Sequence, residues 1–69
     1  MHIGKLIRHV ANEKGISAIQ FAQLLKVERN TIYSIYRKES INTALLTNIS
    51  LALNHNFFTD LSEDINRQK

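Results

Sequence analysis

The chain has 69 residues, with nine Lys or Arg against six Asp or Glu and a formal net charge of +3. A chain of this length buries only about 60% of the surface that its unfolded form exposes, which leaves no room for a deep catalytic cleft. It contains no Cys, which excludes disulfides and zinc sites built on cysteine. Its apolar runs are too short for a membrane span, and no signal peptide is evident, so we expect a cytoplasmic protein.

The distribution of charge and of helix-breaking residues gives a first indication of fold and partner. The chain has no Pro and only two Gly, which favours helices over a turn-rich β fold. Residues 1–59 hold seven Lys or Arg and three acidic residues, a net charge of +4, whereas residues 60–69 carry −1. The positive charge therefore lies on the part expected to fold, as a phosphate-facing surface requires. Mild basicity alone is also common among other soluble domains.

The first predicted helix runs from about His2 to Lys14. Its apolar residues recur at the spacing of one buried helical face, and they are Ile3, Leu6, Ile7, Val10 and Ala11. Gly15 is expected to end this helix, because glycine adopts the left-handed conformation at little cost.

The second predicted helix has a clear start at Ser17. Ser17 and Gln20 have the spacing of a capping box, and Ile16 and Phe21 have the spacing of a hydrophobic staple. The core-facing residues of this helix are expected to be Phe21, Ala22 and Leu25.

The third predicted helix spans about Arg29 to Arg37, after the turn Leu25-Lys26-Val27-Glu28. Glu28 lies at or near its N-cap, where a negative group suits the helix dipole. Two crossing helices can then close on an apolar seam formed by Ala22, Val27, Ile32 and Ile35, with Tyr36 also turned inward. The side chains expected to point outward are Arg29, Asn30, Tyr33 and Ser34.

The C-terminal part predicts a fourth helix at about Thr43 to Leu53 and a short helix from Phe57 to Leu61, extending at most to Ile65. Asn42 is expected to cap the fourth helix, with Ile41 and Leu46 as its staple. Its buried residues are expected to be Leu45, Leu46, Ile49, Ala52 and Leu53. Asn54-His55-Asn56 breaks the helix, and both Phe57 and Phe58 close the core. We expect one domain over residues 1–65, with residues 66–69 as a frayed tail.

Residues 17–36, SAIQFAQLLKVERNTIYSIY, resemble the lambda-repressor/Cro-like (XRE-type) helix-turn-helix family. The resemblance extends from about Ile3 to Leu61 and implies a compact all-α bundle of four main helices plus a short fifth one. Two positions depart from the family's pattern. Lys26 stands in the turn where the family usually has Gly, and Ala18 stands where it often has a Gln that contacts phosphate.

The resemblance implies sequence-specific binding of double-stranded DNA by a small transcriptional regulator, with helix three in the major groove. Arg can pair with guanine and Asn with adenine through two hydrogen bonds each. The implied base-contacting residues are Arg29, Asn30, Tyr33 and Ser34. The implied phosphate-contacting residues are Ser17, Ala18, Lys26, Thr31, Arg37 and Lys38. A homodimer is also expected, since such domains commonly bind paired half-sites.

The sequence also bears on two functional classes other than DNA binding. The same fold can serve as a protein-interaction module, for example a toxin-neutralising or regulator-binding partner. An enzyme is not expected, because His2, His9 and His55 match no compact metal motif and no glycine-rich phosphate loop occurs. We therefore expect no catalytic residues, no metal, no cofactor and no small-molecule substrate.

Overall fold

Five α-helices make up the regular structure of residues 1–67, the part of the chain that the computed structural model describes. They are α1 Ile3–Glu13, α2 Ala18–Leu25, α3 Arg29–Tyr36, α4 Thr43–Leu53 and α5 Phe57–Arg67. No strand occurs within residues 1–67. The all-α class predicted from the sequence is therefore confirmed.

Side-chain caps satisfy N–H groups in the first turn of α2 and of α4, but not in that of α3. At α2, the Ser17 N–H donates to Gln20 Oε1 over 2.9 Å and the Gln20 N–H donates to Ser17 Oγ over 3.2 Å, so the predicted capping box is confirmed. Asn42 caps α4 as predicted, because its Oδ1 accepts the Leu45 N–H at 2.8 Å. Glu28 occupies the N-cap of α3, but its side chain makes no capping hydrogen bond.

Three helices end with a left-handed residue in the same hydrogen-bonded motif. Gly15, Lys26 and Asn54, which follow α1, α2 and α4, have φ angles of 70°, 59° and 50°. In each case the N–H of the next residue donates to a carbonyl five positions earlier, as from Val27 to Ala22 over 3.0 Å. This is the Schellman arrangement, which glycine adopts without strain and a side-chain-bearing residue does not.

The core contains apolar side chains from all five helices, and no polar side chain of residues 1–67 is buried with them. Its members are Ile3, Ile7, Val10, Ala11, Phe21, Ala22, Ile32, Ile35, Leu46, Ile49, Leu53 and Phe57. Partly buried side chains pack against this cluster from the rim, among them Leu6, Leu25, Tyr36, Leu45 and Ala52. The predicted inward faces of α1 and α4 are therefore confirmed.

Two apolar residues assigned to the core lie outside it. Val27 is 40% exposed, because it follows the reversal at Lys26 and belongs to neither α2 nor α3. Phe58 is 38% exposed, whereas Phe57 is fully buried. Neighbouring helical residues point about 100° apart, and the orientation of α5 turns the Phe57 ring into the core while leaving the Phe58 ring partly in solvent.

The fifth helix is longer than predicted. It spans eleven residues, as many as α1 and α4, and no Gly or Pro interrupts it. Leu61 packs against the core, and one turn beyond it the Asp64 carboxylate lies 3.8 Å from the N-terminal amine of Met1. The helix includes Asn66 and Arg67, so the prediction that these two residues form a frayed tail is wrong; the rest of that tail, residues 68–69, lies outside the described residues.

Gly4 allows α1 to approach the end of α3 very closely. A Cβ atom at Gly4 would lie 2.4 Å from the carbonyl oxygen of Tyr36, which is closer than atoms can approach. The backbone here is also hydrogen-bonded: the Gly4 N–H donates to the Lys38 carbonyl over 2.8 Å, and the Ile3 N–H donates to that of Glu39 over 3.1 Å. The start of α1 thus fixes the backbone that follows α3.

Candidate nucleic-acid interface

The outer face of α3 presents exposed polar side chains in one narrow sector. At about 100° per residue, Arg29, Asn30, Tyr33 and Arg37 fall within an arc of about 100°, and all four are exposed. Ile32 and Ile35 are buried on the other side of the helix. This face therefore combines planar hydrogen-bonding groups with positive charge.

Two α3 residues that are predicted to contact DNA lie outside the exposed polar sector or are partly covered. Ser34 is partly buried, although the sequence led us to expect that it would point outward. Thr31 is exposed but lies about 100° around the helix from Asn30, outside the polar sector.

A cleft of about 410 Å³ lies beside this face, and we call it the α1–α3 cleft. Its lining residues are Arg8, Asn12, Ala18, Tyr33, Tyr36 and Arg37. The cleft brings together three residues that are predicted to contact DNA: Ala18 at the start of α2, Tyr33 in α3, and Arg37 at the C-cap of α3. From the sequence, Arg8 is only a weaker candidate for a phosphate contact, because a surface helix of any protein carries such charges, and Asn12 and Tyr36 are not predicted contacts. The i, i+4 spacing of Arg8 and Asn12 on α1 is compatible with a shared surface, but gives no indication of what faces it.

Tyr36 forms the inner wall of the cleft. Its ring packs at 6.3 Å from that of Phe21 in the core and at 6.4 Å, edge-on, from that of Tyr33. Partial burial raises the pKa of Tyr36, the Arg8 guanidinium opposes this by lowering it, and Tyr33 raises it further. Tyr36 is therefore a neutral hydrogen-bond donor at neutral pH, with the positive charge of Arg8 beside it.

The start of α2 opens into the same cleft at Ala18. The capping box engages the N–H groups of Ser17 and Gln20, whereas those of Ala18 and Ile19 have no hydrogen-bond acceptor among residues 1–67. Unpaired N–H groups at a helix start carry partial positive charge. Ala18 has no long side chain to cover them, and is itself only partly buried.

Lys26 and Lys38 are exposed but are not brought into the α1–α3 cleft. Lys26 lines a different hollow between α2 and α4, together with Leu24 and Leu51. Lys38 follows α3 directly, and its carbonyl accepts the hydrogen bond from Gly4. The predicted phosphate-contacting residues therefore lie in several places around α2 and α3.

Two of the three histidines form pairs with carboxylates, whereas His2 caps α1 by accepting the Lys5 N–H at its Nδ1. His9 Nε2 lies 2.6 Å from Glu13 Oε1 on the exposed side of α1. His55 Nε2 lies 2.5 Å from Asp60 Oδ2 at the start of α5, with its ring 4.6 Å from that of Phe57. Within the described residues there is no group of three or more His, Cys, Asp or Glu that could hold a metal ion. In the same range, no helix has the length and apolar character needed to cross a membrane.

Comparison of the chain with protein-family models, with curated proteins and with solved structures finds no significant match. The α3 face and the α1–α3 cleft are therefore the features from which a function can be inferred.

Proposed function

We propose that this protein binds double-stranded DNA sequence-specifically, as a small transcriptional regulator with a lambda-repressor-like (XRE-type) helix-turn-helix. The observation that carries the proposal is the exposed face of α3, where Arg29 and Asn30 adjoin Tyr33 and Arg37. Arg and Asn are the side chains that read guanine and adenine through paired hydrogen bonds. Their place at the start of α3 suits a recognition helix, whose first residues contact base edges.

The dimensions of α3 support the same function. With its side chains an α-helix is about 10–12 Å in diameter, and the major groove is about 12 Å wide, so the groove admits α3. In such a complex, Arg29 and Asn30 contact base edges, while Tyr33 contacts a sugar or a thymine methyl group. Ser34, which is partly buried, can contact only a base that approaches it closely.

Phosphate contacts position the protein along the duplex but do not select sequence. In the proposed complex these contacts come from Ser17 and the Ala18 N–H at the start of α2, and from Arg37 and Lys38 after α3. Lys26 and Thr31 contact phosphates at the margins of this surface. A homodimer that binds two paired half-sites would recognise a longer DNA sequence than a single copy of the short helix α3 can.

The function is tested by selecting bound sequences from a random duplex library, followed by titrations of the selected and a scrambled duplex at several salt concentrations. We expect one enriched motif, tighter binding of the selected duplex, and an affinity that falls linearly on logarithmic axes as salt rises. Failure to enrich any motif, together with no salt-dependent binding of either duplex, would refute the proposed function.

One observation favours a second function, that of a protein-interaction module. Leu24 and Leu51 line the hollow between α2 and α4, and they are 54% and 76% exposed. Exposed leucines that share a hollow are typical of surfaces that meet another protein. If this is the main function, Leu51→Lys abolishes the regulatory effect of the protein in cells. The purified wild-type chain would then show no preference among DNA sequences.

A further inference from the structure

Arginines from two different helices line the α1–α3 cleft without any acidic partner. Arg8 comes from the middle of α1 and Arg37 from the C-terminal cap of α3. Among residues 1–67 neither guanidinium forms an ion pair, and no lining residue of the cleft is acidic. Two unneutralised guanidinium groups beside one concavity create a local excess of positive charge that favours an anion.

The remaining walls of the cleft add hydrogen-bond donors. The Tyr36 hydroxyl lies in the field of Arg8, and Tyr33 forms an adjoining part of the wall. A phosphate group has several acceptor oxygens pointing in different directions, so it can accept hydrogen bonds from opposite walls at once. Arginine is well suited to this contact, since its planar fork matches the geometry of phosphate.

We propose that the α1–α3 cleft binds a single DNA backbone phosphate, held jointly by Arg8 on one wall and Arg37 on the other. The inference rests on the proposed DNA-binding function and adds α1 to the interface. Tyr33 belongs both to the cleft and to the polar sector of α3. A phosphate bound there would therefore fix the position of α3 relative to the bases that Arg29 and Asn30 contact.

Joint binding of one phosphate makes a distinctive prediction about the salt dependence of DNA affinity. Each neutralised phosphate contributes about 0.9 to the slope of log affinity against log salt concentration. In the presence of Arg37, Arg8→Gln leaves one arginine on the phosphate and changes the slope by less than about 0.9. In an Arg37→Gln background, Arg8→Gln removes the last guanidinium and lowers the slope by about 0.9. That corresponds to about eightfold weaker binding at 0.1 M salt, if affinity at 1 M is unchanged.

The experiment is a double-mutant cycle of Arg8→Gln and Arg37→Gln, titrated on one selected duplex from 0.1 M to 1 M salt. Arg67→Gln is the matched control, because it makes the same substitution at an exposed arginine that does not line the cleft. Arg8→Lys keeps the charge but loses the planar fork, so we expect it to retain the slope and to bind more weakly. Thermal unfolding of each variant shows whether the fold is retained.

Two results of the cycle would overturn the inference while leaving the proposed function intact. If Arg8→Gln behaves like Arg67→Gln in the Arg37→Gln background, Arg8 contacts no phosphate. If Arg8→Gln lowers the slope by about 0.9 in both backgrounds, the arginines contact separate phosphates. A wild-type protein that binds no duplex would instead refute the proposed function itself.

A separate arm of the experiment distinguishes the DNA backbone from a free phosphate ion. The amide NMR signals of Ala18 and Ile19 are followed during addition of the selected duplex, of inorganic phosphate, and of sodium chloride at matched ionic strength. We expect the duplex to shift both signals at stoichiometric concentration, and phosphate to do no more than chloride. Saturable shifts with micromolar inorganic phosphate would overturn the inference in favour of a site for a free anion.

Discussion

Replacing Lys26 with glycine should stabilise the protein, because Lys26 holds a backbone conformation that penalises a side chain. Its φ and ψ angles are 59° and 44°, in the left-handed region. For a residue with a Cβ atom this conformation costs about 1–2 kcal/mol, whereas glycine adopts it freely. Glycine also increases the entropy of the unfolded chain, which opposes the gain by about 0.4–1 kcal/mol. The centres of these two ranges differ by about 0.8 kcal/mol, which is the expected net stabilisation.

Urea unfolding measures this effect directly. With a slope of about 1 kcal/mol per molar urea for a small domain, the midpoint of Lys26→Gly should rise by about 0.8 M. Lys26→Ala is the matched control, since it removes the ammonium group but keeps the strained backbone. Gly15→Ala is the converse test, because Gly15 has a φ of 70° and open space around its Cα, so strain alone should cost about 1 kcal/mol.

The order of the midpoints decides whether the reasoning holds. We expect Lys26→Gly to be more stable than both the wild type and Lys26→Ala. A midpoint for Lys26→Gly at or below that of Lys26→Ala would refute the assignment of strain to position 26. Since Lys26 is also a predicted phosphate contact, Lys26→Gly should lower the salt slope of DNA binding by about 0.9 while it raises stability. Both results together would explain why the chain keeps a strained lysine at position 26, since its ammonium group would contribute to DNA binding.

Three further substitutions test the fold and the interface. Gly4→Ala should cost about 1–3 kcal/mol or more, because its Cβ would collide with the Tyr36 carbonyl oxygen; a urea midpoint equal to that of the wild type would show that α1 can move away freely. Arg29→Ala should weaken binding of the selected duplex by about 1–3 kcal/mol and relax the preference at one base position. A selection that returns the unchanged motif would remove Arg29 from the base contacts. Lys38→Ala should weaken binding of all duplexes equally and lower the salt slope by about 0.9; a wild-type slope would mean that Lys38 contacts no phosphate.

The features predicted correctly from the sequence are those that depend on neighbouring residues. The capping box of Ser17 and Gln20, the Asn42 cap and the break at Asn54 each involve residues within five positions of one another. The buried stripe of α1 also follows from helical period alone. Such features are specified by short stretches of chain, so a sequence pattern is enough to locate them.

The core predictions for Phe58 and Val27 are wrong because they follow from apolar character alone and not from the direction in which each side chain points. Phe57 and Phe58 are chemically identical, and only the phase of α5 decides which ring is buried. Val27 fits the spacing of an apolar seam, yet the reversal at Lys26 separates it from both helical faces. The length of α5 was underestimated because its second half has few apolar residues to indicate that it continues.

The α1–α3 cleft and the role of Gly4 could not be predicted, since both depend on segments far apart in sequence. Gly4 in the first turn of α1 looks like a residue that would weaken the helix, with a cost of about 1 kcal/mol relative to alanine. The reason for a glycine here appears only in the folded structure, where the Tyr36 carbonyl leaves no room for a Cβ atom and the Lys38 carbonyl accepts the Gly4 N–H. Likewise, Arg8 is an ordinary surface charge until Arg37 is seen to line the same cleft.

The packing of α1 on α3 therefore contributes to both stability and the proposed site. The N–H groups of Ile3 and Gly4 hold the backbone after α3, and Arg37 lies between that anchored segment and the last turn of the helix. Because the anchor is formed by backbone groups, side-chain substitutions on the α3 face should leave it in place. The backbone positions of Arg8 and Arg37 are thus set by the packing of α1 on α3 rather than by DNA. Binding of a phosphate would then have to order only the two exposed arginine side chains, at a cost of about 0.5–1.5 kcal/mol each, and would not have to move the helices.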